Sequence, residues 1–154
     1  MTRPAVVAAA ASDVDRLAEM QATCFHEPWG TASVAKTLSL PGTFALLLRD
    51  STSAGRISAG FVIVQVVADQ ADILTLGVVP GLRRRGHARL LLAGALGRAV
   101  ELGVRTVFLE VAEDNLPGIE LYRNAGFDTI GRREGYYRDP QGRRIAAVTM
   151  RRVI

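Results

Sequence analysis

The run from Val78 to Arg89 reads Val-Val-Pro-Gly-Leu-Arg-Arg-Arg-Gly-His-Ala-Arg, an apolar strand end that turns into a cluster of guanidiniums and a glycine opening a helix. This pattern describes an anion cradle. The first N–H groups of a helix have no intrahelical partner and sit at the positive end of its dipole, so a phosphate placed there meets aimed donors. Gly86 allows close approach to the backbone, and Arg83, Arg84, Arg85 and Arg89 add charge-assisted donors. Three arginines in a row also fit a solvated basic turn. The helix that follows favours the cradle. Ala88, Leu91, Leu92, Ala95, Leu96, Ala99 and Leu102 form one apolar stripe, and Gly103 is its stop. Gly94 and Gly97 each cost that helix about 1 kcal/mol relative to alanine, which predicts close packing against a sheet at both. The spacing matches neither G-x-x-x-x-G-K-[ST] nor G-x-G-x-x-G.

A second centre of chemistry is Glu110, a carboxylate among Val107, Phe108, Leu109 and Val111. Such a group needs a partner, a raised pKa or access to a cleft, and a structural ion pair with an arginine satisfies the first as well as catalysis satisfies the last. Tyr122 and Asn115 read equally well as a core aromatic and a helix cap. Cys24 has no histidine–aspartate pattern with it and reads as a small buried hydrophobe, and neither His26 nor His87 has metal-ligand spacing, so no metal is expected.

The elements that would position these residues alternate along the chain. Val6 to Ala10 is predicted as a strand, Ser12 caps a helix with Leu17 and Met20, and Thr31 caps a short one with Val34 and Leu38. Strands over Thr43 to Arg49 and Ala59 to Val67 flank the turn-rich Asp50-Ser51-Thr52-Ser53-Ala54-Gly55. Asp72 to Val79 feeds the arginine turn. Arg105 to Val111, apolar on both faces, is central, and a helix over 116–124 with Pro117 in its first turn and Gly126 past its end follows it. Phe127 to Arg132 and Ile145 to Val153 complete the strands.

With 154 residues and 49% hydrophobic content the chain suits one domain over residues 1–154. A single cysteine leaves no internal disulfide and suits a reducing, cytoplasmic setting. Ala5 to Ala11 behind Arg3 is short for a signal peptide and runs into Ser12-Asp13-Val14-Asp15, so it is read as strand. No apolar run approaches the ~18 residues of a membrane span. The formal charge of +4, with Lys36 the only lysine among 19 basic residues, suits a polyanionic ligand or a ribosomal setting and is too small to argue for direct nucleic-acid binding.

Arg83-Arg84-Arg85-Gly86-His87-Ala88 resembles the [RQ]-x-x-G-x-[GA] signature with which the GCN5-related N-acetyltransferases hold the pyrophosphate of acetyl-CoA. Leu109-Glu110-Val111 with Asn115, and Leu121-Tyr122-Arg123-Asn124-Ala125-Gly126-Phe127, resemble the L-E-V-x-x-x-N and A-L-Y-x-x-x-G-F segments of the bacterial RimI branch, which acetylates the N-terminal alanine of a small-subunit ribosomal protein. Cys24-Phe25-His26-Glu27-Pro28-Trp29 and Arg133-Glu134-Gly135-Tyr136-Tyr137 look like the same branch. The resemblance covers nearly the whole chain. It implies a mixed, mostly antiparallel α/β sheet with helices on both faces and a splay between two central parallel strands. By the same resemblance Glu110 is the general base and Tyr122 the general acid, while Asn115 and the backbone of Leu76, Gly77 and Val78 hold the cofactor, with Gly77 marking a bulge. His87 falls at a variable position of the motif. Pro28, Trp29, Tyr136 and Tyr137 then line the entrance for a protein N-terminus. The chain departs from the family in having Gly142-Arg143-Arg144-Ile145-Ala146 where glycine-glutamate-aspartate-alanine is frequent, a difference at the acceptor end. A small amine as acceptor, or a CoA-binding module without turnover, are the other functions this scaffold accommodates.

Overall fold

The computed structural model describes residues 3–52 and 55–154. Seven strands and four helices follow in the order β1 (Ala5–Ala8), α1 (Val14–Cys24), α2 (Thr31–Ser39), β2 (Thr43–Thr52), β3 (Gly55–Val67), β4 (Gln70–Val78), α3 (His87–Glu101), β5 (Thr106–Ala112), α4 (Leu116–Asn124), β6 (Asp128–Arg138) and β7 (Arg144–Val153). They form one sheet of order β1-β2-β3-β4-β5-β7-β6, antiparallel throughout except for β4 beside β5. None of the described helices is long and apolar enough to cross a membrane.

Period-two alternation places helices on both faces. On β2, Leu46 and Leu48 turn toward α3 and join its Leu91, Leu92, Ala95 and Ala99 in the larger core. Ala45 and Leu47 turn the other way and meet Leu17 and Met20 of α1 and Val34 of α2. β5 covers only one face completely: Val107, Leu109 and Val111 are buried, and Phe108 and Glu110 opposite them are half-buried.

The parallel pairing of β4 with β5 runs from Gln70↔Thr106 to Ile73↔Leu109 and stops. Beyond it β4 continues on β3 alone and β5 on β7 alone, which is the expected splay. The bulge that bends β4 away falls at Leu74, the extra residue between Ile73↔Val64 and Thr75↔Ile63, and not at Gly77. Gly77 is paired with Phe61, and a Cβ there would meet that ring at 2.9 Å and the Cys24 sulfur at 3.1 Å. Its role is close packing under α1.

Local expectations shift in instructive ways. Asp50 to Thr52 belong to β2, because the hairpin stays paired to Thr52↔Gly55, and the tip at 53–54 lies outside the described residues. A 3-10 turn over Ala11–Asp13 precedes α1, so Ser12 is not its cap, and Gly30 rather than Thr31 precedes α2. β6 extends to Arg138 past an irregularity between Arg133 and Tyr137. In α3 a Cβ on Gly94 would touch Val6 at 3.0 Å, as close packing requires, whereas Gly97 faces open space and Leu102 is the exposed C-cap. Cys24 is half-buried.

Candidate active site

The splay leaves Leu76, Gly77 and Val78 paired with β3 on one side only, so their other edge offers backbone groups to a ligand lying along it, apart from the Val78 carbonyl, which Arg83 engages. A groove of about 910 Å³ starts at this edge, passes Arg83, Arg84, Gly86 and Arg89, and is closed by Pro117 and Leu121 of α4. The turn that feeds it is wound by two left-handed residues, Arg84 at φ +64° and Gly86 at φ +79°. At Arg84 that conformation costs on the order of 1 kcal/mol. At Gly86 an added Cβ would meet nothing within 4 Å, so the conformation calls for glycine and the space above it stays open to a ligand. The amides of His87, Ala88 and Arg89 open α3, and the first helical bond there is Leu90 N–H to the Gly86 carbonyl. Arg83 Nε donates to the Val78 carbonyl at 2.8 Å and ties the turn to the strand end.

Two members of the basic run are placed differently from the sequence expectation. Arg85 lies off the groove, and its charge acts on Asp50. The His87 side chain turns inward, 3% exposed, with Nε2 at 2.7 Å from Asp50 Oδ2 and Nδ1 at 3.0 Å from the Leu82 carbonyl. Only its backbone amide remains for a phosphate.

A second cleft of about 490 Å³ opens at the other end of the splay between Gln21, Trp29, Leu74, Glu110 and Tyr137. Both clefts share Phe25, Leu76, Asn115 and Tyr122, so they form one passage across the sheet. Glu110 reaches the second cleft because β5 alternation turns it away from the Val107, Leu109 and Val111 side. Its Oε1 lies 3.6 Å from Arg133 Nη2, and its Oε2 is buried with no hydrogen-bond partner among the described residues. Oε1 thus faces an arginine, as the ion-pair reading expected, and the residue also lines the cleft.

Tyr122 stands at the junction, edge-on to Phe127 at 5.9 Å, and burial pushes its hydroxyl up to about 12, with Tyr137 adding to the shift. Tyr137 donates to the Glu110 carbonyl at 3.4 Å and is likewise pushed up to about 12 by burial, Tyr136 and Glu110. Tyr136 stacks on Tyr137 at 4.9 Å beneath Arg133. Asn115 caps α4 by accepting from Gly118 N–H at 3.1 Å while lining both clefts. Trp29 lines the second cleft; Pro28 is exposed and does not.

Sequence reasoning passed over Gln21, which is 1% exposed. Its Nε2 donates to Thr75 Oγ1 at 2.9 Å and its Oε1 accepts from Trp29 N–H at 3.4 Å, so it ties α1 to the bulged strand and to the loop carrying Trp29. The only available signal was a glutamine beside Met20 on the buried stripe of a helix. Arg133 shares a sequence segment with Tyr136 and Tyr137, yet its pairing with Glu110 needs the fold.

The sequence profile of the Acetyltransferase (GNAT) family matches residues 14–127. The ribosomal protein bS18-alanine N-acetyltransferase of Haemophilus ducreyi is 31% identical over 138 residues, covering 90% of this chain and 92% of its own. The N-alpha-acetyltransferase RimI of Mycobacterium tuberculosis is 32% identical over 89% of this chain and 87% of its own. The crystal structure of the ribosomal-protein-S18-alanine N-acetyltransferase from Escherichia coli superimposes with a TM-score of 0.88 at 26% identity, over 99% of this chain and 94% of that one. Arabidopsis thaliana NAA60 in complex with acetyl-CoA shares the fold, with a TM-score of 0.85 at 22% identity over 99% of both chains.

Proposed function

The chain belongs to the GNAT family of acetyltransferases, and from that premise we propose that it acetylates the N-terminal amino group of a protein, the alanine of a small-subunit ribosomal protein. The observation that carries this reading is the placement of Glu110, with an unpartnered buried oxygen, and Tyr122 in one passage open at both ends. Such a passage admits a donor from one side of the sheet and an acceptor from the other. The relatives from Haemophilus ducreyi and Escherichia coli carry the alanine acceptor in their names, which supports the choice of acceptor.

The groove fits acetyl-CoA on its own features: the one-sided edge of Leu76 to Val78 for the pantetheine arm, and the amides of His87, Ala88 and Arg89 with the guanidiniums of Arg83, Arg84 and Arg89 for the pyrophosphate. When bound, acetyl-CoA supplies the acetyl group activated as a thioester. The Glu110 carboxylate accepts the proton of the α-amino group, directly or through a water, because an amine with an ordinary pKa of about 7.7 to 8.0 attacks only in its neutral form. Arg133 Nη2, 3.6 Å from Oε1, places a positive charge beside the carboxylate. Tyr122 retains its proton, since its hydroxyl at about 12 is a far weaker acid than a thiol at about 8.5. It therefore donates a hydrogen bond to the leaving sulfur, and stabilises negative charge there without first becoming charged itself.

The acceptor end lacks the glutamate–aspartate pair frequent in the family, and Arg143 at that point donates to Asp139, one of the cleft carboxylates, at 3.0 Å. A panel of N-terminal hexapeptides and small amines, assayed for CoA release, tests the reading. Turnover is expected with an alanine N-terminus of ribosomal sequence. Rapid turnover confined to small amines would replace the acceptor, and binding of acetyl-CoA with no turnover on any acceptor would make the protein a binding module.

A further inference from the structure

His87 and Asp50 form a buried polar pair that acyl transfer does not use. Asp50 sits near the end of β2, where the sequence pattern suggested a loose turn, and His87 is the first residue of α3. The proton count on the ring follows from its partners. A carbonyl only accepts, so Nδ1, 3.0 Å from the Leu82 oxygen, carries a hydrogen. The 2.7 Å contact between Nε2 and Asp50 Oδ2 requires one more hydrogen between them. Asp50 also accepts from Ser51 N–H at 2.8 Å, which together with His87 holds its carboxyl below the usual range. Beside His87, the charged group that acts on Asp50 is Arg85, from the turn.

We propose that His87 is a positioning residue for pyrophosphate binding: by bridging Leu82 and Asp50 it locks the arginine turn and the first turn of α3 against β2, so that the amides of His87, Ala88 and Arg89 are aimed before the ligand arrives. The inference rests on the reading of the groove as an acetyl-CoA site. Its physical basis is preorganisation. A short turn wound through Arg84 in a left-handed conformation is held at its start by Val79, Leu82 and the Arg83 bond to the Val78 carbonyl and at its end by His87, and a helix start that shifts by a fraction of an ångström misdirects all three donors together. The imidazole joins the strand, the turn and the helix at one point.

The test compares two donors, acetyl-CoA and S-acetylpantetheine, which lacks the phosphates. Asp50→Ala removes the bridge at the strand; Asp50→Asn keeps it, because a neutral imidazole with hydrogen on Nδ1 accepts at Nε2 from the carboxamide. Calorimetry is expected to show acetyl-CoA binding at least tenfold weaker in Asp50→Ala and within about threefold of wild type in Asp50→Asn, with kcat/KM for S-acetylpantetheine unchanged in both. Independently, the wild-type ring should show a slowly exchanging Nδ1–H by nitrogen-15 NMR, readily assigned because His26 is the only other histidine and is exposed. Unchanged acetyl-CoA affinity in folded Asp50→Ala, equal losses with both donors, or a rapidly exchanging ring each overturns the inference alone. A wild-type protein that binds no acetyl-CoA overturns the functional reading and the inference with it.

Discussion

A carboxylate oxygen buried without a partner is costly unless a ligand completes it, and Glu110 Oε2 is in that position on a residue lining the second cleft. Replacing Glu110 by glutamine keeps volume and hydrogen-bonding shape but removes the proton acceptor. The turnover number is expected to fall roughly 100-fold at neutral pH with acetyl-CoA affinity nearly unchanged, and to recover partly as pH approaches the amine pKa. Steady-state kinetics across pH with calorimetry would check this; normal turnover with a depressed melting temperature would make Glu110 an ion-pair residue only. Gln21 acts one step further out, since it touches no reacting atom but holds Trp29 to β4. Gln21→Leu leaves the Trp29 amide and the Thr75 hydroxyl unpaired. We expect a several-fold rise in acceptor KM and an unaltered Kd for acetyl-CoA, and a change confined to kcat would contradict this role.

At the scale of elements, α3 shows how two identical residues three apart acquire opposite meanings. A Cβ at Gly94 would press on Val6 at 3.0 Å and Leu46 at 3.3 Å, while one at Gly97 meets nothing. Gly97→Ala should therefore stabilise the protein by about 1 kcal/mol through helix propensity and unfolded-state entropy. Gly94→Ala should gain nothing or lose stability, because Val6 on β1 must shift to admit the methyl group. Thermal melts of the two variants decide it, and equal shifts would refute the packing argument. The apolar stripe of α3 and the Pro117 and Gly126 signals of α4 were legible because periodicity and chain punctuation are local. The extension of β2 through Asp50, Ser51 and Thr52 was not, because polar residues there read as turn until β3 pairs with them and His87 supplies a partner for Asp50.

The whole molecule carries a pH limit on the alkaline side. Tyr122 and Tyr137 are raised from an ordinary value of about 10 to about 12 in the folded state, chiefly by burial. A group whose folded pKa lies above its unfolded one contributes stability that is complete below the unfolded value and disappears as pH rises through the folded value. Denaturant titrations are therefore expected to give constant stability up to about pH 10 and a decline between pH 10 and 12. Tyr137→Phe should flatten that decline by removing one of the two groups, and an unchanged slope would show that Tyr137 does not contribute to it.

From residue order alone came the element alternation, the arginine–glycine turn and the family resemblance, because each is carried by short local segments: Gly86 before α3, Glu110 on β5, Tyr122 on α4. What only the tertiary structure decided is how residues distant in the chain share a few ångströms. The outward side chain of Glu110 meets Arg133, twenty-three positions on, through the β5–β7–β6 layering. His87 turns from an expected ligand-facing residue into the partner of Asp50, and Arg85 is drawn off the groove. The physical reason is that alternation along a strand or helix sets which face a side chain occupies, whereas its partner is set by which other element packs there, and that depends on sheet order and on the Leu74 bulge that opens the splay.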